Sequence, residues 1–125
     1  MTILRALYER WNAHDVDGVL AFFATDMIYR DQAMGFEFSG PAELGQFMQA
    51  SFVAIPDLRF AVTSSFETSA HFGGEALMSG TFQYDLPGVQ ATGRNFDVHY
   101  GIIGDHRDGK ITRIVDYWNA TEFTS

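Results

Sequence analysis

The stretch KITRIVDYWN, residues 110–119, combines the residue types of a β-strand with a single carboxylate. Ile, Val, Thr, Tyr and Trp suit a pleated, half-buried surface, and they surround Asp116. Side chains alternate across a strand, so this segment has two faces, one with Ile114, Asp116 and Trp118 and the other with Arg113, Val115 and Tyr117. If the first face is buried, Asp116 becomes a candidate for proton transfer.

Three more β segments precede this strand. Residues 58–66 alternate apolar and polar side chains, a second strand is expected at roughly 72–84, and a third spans about 94–103. The turn GDHRDG leads from the third strand into the last one. These segments predict a long antiparallel meander.

The first half of the chain reads mainly as helix. Apolar residues at helical spacing predict a helix over 2–13. Asp15 can cap a second helix, whose apolar stripe is Val16, Val19, Leu20 and Phe23. A third helix is expected from Pro41 to about residue 53. Short strands are expected at 27–31 and 35–39. The whole chain, 1–125, is therefore predicted to be one α+β domain, with three helices packed on one face of a curved, mostly antiparallel sheet.

The composition of the chain limits the classes of molecule that it is expected to bind. The net charge is −8 with eight basic residues, which argues against nucleic acid and against anionic membranes. Cysteine is absent, and no apolar run is long enough to span a bilayer, so we expect a cytoplasmic protein. Twelve of the aromatic residues are Phe, more than a small core usually needs, and this surplus favours a ring-lined cavity for an apolar ligand.

Alternation also groups the other polar candidates. Asp97 and His99 share one face of their strand, and Tyr29 shares a face with Asp31. Side chains that face each other on adjacent strands lie only about 5 Å apart, so a contact between Asp116 and His99 is geometrically reasonable. Periodicity alone does not say which face of each strand meets the helices.

Three segments resemble known families. ALYERWNAHDVDGVLAFFATDMIYRD resembles the opening of ketosteroid isomerase, LPGVQATGR followed by FDV resembles SnoaL-like polyketide cyclases, and DGKITRIVDYW resembles the closing strand of both. The resemblance covers about residues 2–120. It implies the cone-shaped fold of nuclear transport factor two, in which three helices enclose a pocket against a bent sheet, with dimerisation through the other face of the sheet. Val115 and Tyr117 would lie on that outer face.

The resemblance also implies roles for individual residues. Tyr8 matches the oxyanion-donating tyrosine of the isomerases, and Asp31 matches their general base. A last-strand aspartate like Asp116 is the acid/base of the cyclases, with a histidine nearby for which His99 is the counterpart. Ile114 and Trp118 match positions that line the pocket.

Each of these residues also has a plain structural interpretation. Asp116 could lie at a solvent-exposed rim, Asp31 could end a strand in solvent, Tyr8 could be a core aromatic, and His99 could be a half-buried strand residue. The second acidic oxyanion donor of the isomerases is missing, because His99 or Gly101 stands in its place. The Asp-Arg-Asp set of limonene-type epoxide hydrolases is also not matched.

The sequence therefore predicts acid/base chemistry on a small apolar carbonyl compound, as an isomerase or cyclase without cofactor or metal. Asp116 is expected to be the acid/base and His99 its partner or an enolate stabiliser, with Asp31 and Tyr8 secondary. The pocket walls are expected to include Trp11, Phe23, Phe47, Phe60, Ile114 and Trp118. A ligand-binding domain without turnover, and a vestigial pocket in a dimerising protein, are the alternatives. Binding of a small apolar ligand and a homodimer are the expected partnerships.

Overall fold

The computed structural model describes all residues, 1–125, as helices packed on one face of a curved six-stranded sheet. The helices are α1 (Ile3–Asn12), α2 (Val16–Leu20), α3 (Pro41–Ala54) and the short α4 (Thr121–Thr124). The strands are β1 (Phe23–Asp31), β2 (Phe36–Ser39), β3 (Arg59–Glu67), β4 (His71–Thr81), β5 (Asn95–Arg107) and β6 (Lys110–Trp118). The predicted α+β class is confirmed, and α4 is an element that the sequence did not reveal. No helix has the length and apolar character needed to cross a membrane.

The strand order is β2-β1-β6-β5-β4-β3. Every neighbouring pair is antiparallel except β1 and β6, which run parallel and join the first strand to the last. This parallel pair lies in the middle of the sheet, where the register sets Asp31 beside Asp116. The site described below depends on this pairing of distant segments.

The helices cover the inner face of the sheet. Helix α1 packs across β3 and β4, and α3 packs across β1 and β2. The side chain of Thr2 caps α1 by accepting a hydrogen bond from the backbone N–H of Arg5 at 3.3 Å, and the side chain of Asp15 caps α2. Asn12 fixes the other end of α1 to β3, because its side-chain amide both donates to and accepts from the backbone of Phe60 at 2.8 Å. These contacts hold the Phe60 ring against the interior.

Several strand predictions need correction. Strand β1 begins at Phe23, which was expected on the second helix, and β4 ends at Thr81 and not near residue 84. Strand β5 continues to Arg107, so the predicted six-residue turn is a two-residue hairpin turn in which Asp108 and Gly109 have φ of 53° and 83°. Positive φ at both central residues is the type I′ geometry that an Asp-Gly pair favours. The register of β3 shifts between Val62 and Ser64, so the alternation predicted for 58–66 breaks there and Phe66 points outward, half exposed.

Candidate active site

Two carboxyl groups lie side by side on the inner face of the sheet. Asp31 ends β1 and Asp116 lies near the end of β6, and the two residues are register partners in the parallel pair. Asp31 is 5% exposed and Asp116 is 1% exposed. The two carboxyl groups lie close enough for each to influence the pKa of the other. The structure thus brings together the two aspartates that the sequence identified separately.

Asp116 is held by two tyrosines rather than by a cation. The hydroxyls of Tyr29 and Tyr100 both donate hydrogen bonds to its Oδ2 atom, and the two hydroxyl oxygens are 3.2 Å apart. The other oxygen, Oδ1, is buried and accepts no hydrogen bond from another residue. A buried carboxylate with an unused oxygen is costly, so this environment favours the protonated form of Asp116.

Asp31 has donors that suit a carboxylate. Its Oδ1 atom accepts hydrogen bonds from the indole Nε1 of Trp118 at 3.0 Å and from the backbone N–H of Met34 at 3.1 Å. Burial raises the pKa of Asp31, and the hydrogen bonds from Met34 and Trp118 oppose that rise. Asp31 is therefore the member of the pair that is better prepared to carry the charge.

Burial also raises the pKa of Asp116 well above its ordinary value, and the neighbouring charge of Asp31 adds to the effect. Burial is likewise the main reason that the pKa values of Tyr8, Tyr29 and Tyr100 lie well above the usual value for tyrosine. Two adjacent acids whose first ionisation hinders the second behave as one unit. The hydrogen bonds from Met34 and Trp118 favour ionisation of Asp31 before Asp116.

A pocket opens beside this pair between the helices and the sheet. The space free of protein atoms is about 500 Å³, including the part open to solvent. Its lining is almost entirely apolar, and Asp31 is its one charged residue. The lining residues are Trp11, Tyr29, Asp31, Met34, Phe36, Phe47, Ser51, Ile55, Leu58, Phe60, Met78, Leu86, Tyr100, Trp118 and Phe123. Asp116 is not among them, because Tyr29, Tyr100 and Asp31 stand in front of it.

Four of the six predicted wall residues lie where they were expected, since Trp11, Phe47, Phe60 and Trp118 line the pocket. Phe23 and Ile114 do not. Both are buried in the core, with Phe23 at the start of β1 beside Ile111 and Ile114 beside Tyr29. Their placement contradicts the prediction that they contact a ligand.

The predicted contact between His99 and Asp116 is wrong. His99 is exposed on the outer face of β5, next to Tyr117 and Glu75, while Asp116 points inward. The register pairs Tyr100 with Trp118 and Ile102 with Asp116, so the inward residue nearest to the predicted position is Tyr100. The physical reason is a shift of one residue, which moves a side chain to the opposite face of a strand.

Tyr8 is a core aromatic as well as a neighbour of the site. It is 1% exposed, its ring packs on Phe60 with centroids 4.5 Å apart, and its hydroxyl has no hydrogen-bond partner. The pKa of Tyr8 is raised by burial and then by the charges of Asp116 and Asp31, so it lies within electrostatic range of both. It does not line the pocket.

The sequence reasoning missed the roles of Tyr29 and Tyr100. A signal for Tyr100 was present, because it lies on the same face of its strand as Phe96, Val98 and Ile102. The more apolar face of a strand is the one that meets the helices. Phe123 of α4 was also missed; it lines the pocket and packs edge-on against Trp118 at 5.5 Å. No group of three or more His, Asp or Glu side chains is arranged to hold a metal ion.

Solved structures share this architecture. A proposed polyketide cyclase from Xanthomonas campestris pv. campestris is 27% identical, with a TM-score of 0.85 over 98% of this chain and 91% of that chain. A second one from Pseudomonas putida KT2440 is 24% identical, with a TM-score of 0.87 over 98% of this chain and 92% of that one. A protein of ketosteroid isomerase-like fold from Catenulispora acidiphila DSM 44928, solved in complex with trimethylamine, is 20% identical, with a TM-score of 0.83 and coverage of 96% and 87%. Among curated proteins there is no match.

The family model for the SnoaL-like polyketide cyclases matches residues 1–124. The fold is thus of a type that houses cyclases and isomerases acting on small molecules. With nearly the whole length matched, the resemblance seen in the three sequence segments is confirmed, and this chain belongs to the SnoaL-like polyketide cyclase family.

Proposed function

We propose that this protein is an acid/base isomerase or cyclase, independent of any cofactor, that acts on an apolar carbonyl compound of polyketide or steroid type. The observation that carries the proposal is the Asp31–Asp116 pair, buried without a cation at the wall of an apolar pocket. A carboxylate whose pKa is raised above its ordinary value is a stronger base and accepts and returns a proton more readily.

Asp31 is the proposed catalytic base, since it is the carboxyl group that faces the pocket. The indole of Trp118 and the backbone N–H of Met34 fix its orientation. A positioned base in a dry pocket supplies about 10²–10⁴-fold of rate enhancement in proton transfer. This assignment reverses the order expected from the sequence, in which Asp116 was the first choice.

Asp116 is proposed as a positioning residue. In this proposal Asp116 shares its proton with Asp31, and its Oδ2 atom accepts hydrogen bonds from the hydroxyls of Tyr29 and Tyr100, which both line the pocket. A protonated Asp116 needs fewer donors than an ionised one, which frees a tyrosine hydroxyl to turn towards an enolate oxygen. The two tyrosines would then take the place of the missing acidic oxyanion donor.

The proposed reaction balances within the site. The carboxylate of Asp31 takes a proton from the carbon next to a carbonyl, leaving a neutral Asp31 and a bound enolate. In an isomerisation the same proton returns to a different carbon of the conjugated system. In a cyclisation the enolate carbon bonds to a second carbonyl carbon of the same molecule, and the oxygen formed there takes the proton from Asp31. Both routes restore the starting carboxylate.

A ligand-binding protein without turnover is the second candidate. The apolar lining and the aromatic walls favour binding of a small apolar molecule in either case. We further propose that the chain forms a homodimer through the outer face of the sheet, where Ile103 and Tyr117 are 40% and 48% exposed. Sedimentation of the wild type and of Tyr117→Lys would test the dimer, which we expect the added charge to weaken.

The test of catalysis is exchange of α-protons for deuterium, followed by NMR, for a panel of steroid ketones, aromatic ketones and poly-β-ketones. Both tryptophans of the chain line the pocket, so quenching of their fluorescence reports binding independently. We expect Asp31→Asn to slow exchange by about 10²–10⁴-fold with little loss of binding.

Asp105→Asn is the matched control, because Asp105 is also a strand aspartate but lies in an exposed ion-paired cluster. It should change the exchange rate less than twofold. If wild type and Asp31→Asn bind the same ketones and neither exchanges their protons, the binding protein is the correct description and the enzyme is not.

A further inference from the structure

A second hollow lies immediately outside the pocket. It is a groove between β2, α3 and the loop after β4, with about 850 Å³ of space that includes open solvent. Its lining residues are Phe36, Glu37, Phe38, Glu43, Gln46, Phe47, Ala50, Leu86 and Pro87. The proposed chemistry makes no use of this groove.

The groove and the pocket share one wall. Phe36, Phe47 and Leu86 line both, so a molecule that passes these three side chains extends from one hollow into the other. Phe36 and Phe47 meet edge-on with centroids 5.5 Å apart, and Phe47 stacks on Phe38 at 4.6 Å. The three rings form one aromatic strip that continues from the pocket to the outside.

The charge along this route has one sign. The charged residues that line the groove are Glu37 and Glu43, the charged residue that lines the pocket is Asp31, and no Lys or Arg lines either hollow. Arg30 lies 3.7 Å from Glu37 in an exposed pair that offsets part of that charge. Glu43 has no ion pair, and its Oε1 atom accepts a hydrogen bond from the backbone N–H of Ser39 at 3.0 Å.

We propose that the groove binds the outer half of an elongated ligand whose reactive ketone end lies at Asp31, and that the preferred ligand carries a basic amine at its outer end. The aromatic strip of Phe36, Phe38 and Phe47 contacts the apolar middle of the ligand. Faces of aromatic rings and carboxylates both attract an ammonium group, whereas the charged residues that line the two hollows would repel a carboxylate or phosphate on the ligand. This inference rests on the proposed function, because it places the ketone end in the same pocket.

Four probes test the inference, each read by quenching of the two pocket tryptophans. They are β-tetralone and three β-tetralones with a flexible alkyl chain that ends in an ammonium, a hydroxyl or a carboxylate group. We expect the hydroxyl-ended probe to bind about fivefold more tightly than bare β-tetralone, because its chain buries apolar surface in the groove. We expect the ammonium probe to bind about tenfold more tightly than the carboxylate probe at low salt.

Two variants separate the contribution of the probe's alkyl chain from that of its terminal charge. Glu43→Gln keeps an acceptor for the N–H of Ser39 and should lower the ammonium-to-carboxylate preference about threefold. Gln46→Phe fills the groove from an exposed position, so it should abolish the gain in affinity that the alkyl chain of the probe provides. Bare β-tetralone should bind this variant as it binds wild type. Glu9→Gln, the same loss of charge at an exposed site on α1, should leave every ratio unchanged.

The outcomes keep the two proposals apart. If bare β-tetralone binds and exchanges its α-protons but the chain gives no gain in affinity, the groove proposal is overturned and the enzyme proposal stands. If the chain gives a gain that does not depend on its terminal charge, the preference for an amine is overturned. If the chain effects appear without any proton exchange, the groove is supported as part of a binding protein, and the catalytic proposal fails instead.

Discussion

The two faces of strands β5 and β6 carry similar residue types in different surroundings. The inner face has Asp116, Tyr100 and Trp118, and the outer face has Asp97, His99 and Tyr117. On the inner face the carboxyl group is 1% exposed and bonded to tyrosines, whereas the outer face presents its polar groups to solvent. Burial away from any cationic side chain therefore prepares a carboxyl group for proton transfer, and the mere presence of an aspartate or histidine does not.

The largest expected difference between the faces is in how stability depends on pH. The raised pKa of Asp116 means that the folded protein keeps a proton that the unfolded chain releases at the ordinary pKa of aspartate. Its contribution to stability is complete below that ordinary pKa and is lost as the pH rises towards the raised pKa. Asp116→Asn cannot ionise, so the variant should gain stability relative to wild type as the pH rises above the ordinary pKa of aspartate, and the gain should level off once the pH passes the raised pKa of Asp116.

Urea unfolding at a series of pH values measures this gain. Asp97→Asn on the outer face is the control and should change the free energy of unfolding by no more than about 0.5 kcal/mol. A difference between Asp116→Asn and wild type that stays constant over the whole pH range would contradict a buried, protonated Asp116.

Two glycines of β5 give the next comparison. A Cβ atom added at Gly104 would lie 2.5 Å from the ring of Phe72 and 2.6 Å from the backbone oxygen of Arg113, whereas one at Gly101 meets nothing closer than 3.8 Å. Gly104→Ala should therefore lower the free energy of unfolding by about 1–3 kcal/mol. Gly101→Ala should leave it unchanged or raise it by up to about 1 kcal/mol. Equal effects in denaturant unfolding would mean that the inner face is less tightly packed than described.

Removing one tyrosine hydroxyl from each face compares the two faces by their effect on proton exchange. Tyr100→Phe removes one of the two hydroxyls on Asp116, and we expect proton exchange to slow about tenfold, because an oxyanion donor is lost or misplaced. Tyr117→Phe removes an exposed hydroxyl from the other face of the neighbouring strand and should have no effect. NMR exchange rates for both variants decide the matter, and a loss of activity with Tyr117→Phe would count against the inner site.

His99 should show the smallest effect. Its exposed position leads us to expect that His99→Ala changes the exchange rate by less than twofold at any pH between 5 and 8, the range in which histidine ordinarily titrates. A large, pH-dependent loss with this variant would restore the role that the sequence suggested for His99 and would require a different inner surface.

Local pattern was enough for much of the fold but not for the centre of the site. The stripe of α1, the cap at Asp15 and the alternation in β6 depend on neighbours in sequence, and they appear as predicted. The juxtaposition of Asp31 and Asp116 depends on the register of a parallel pair between distant strands, which no local signal encodes. The choice between His99 and Tyr100 depended on which face of β5 meets the helices. The outward turn of Phe66 follows from a bulge that a regular alternation hides.

The parallel pairing of β1 with β6 has a consequence for how the protein matures. Asp31 is synthesised before Asp116 and Trp118, which complete its surroundings, and Trp118 follows it by 87 residues. A nascent polypeptide still lacking its last strand would expose a lone, hydrated aspartate. Because such long-range contacts form late, the arrangement of the site residues should form only in the last step of folding, when the sheet closes, and not gradually.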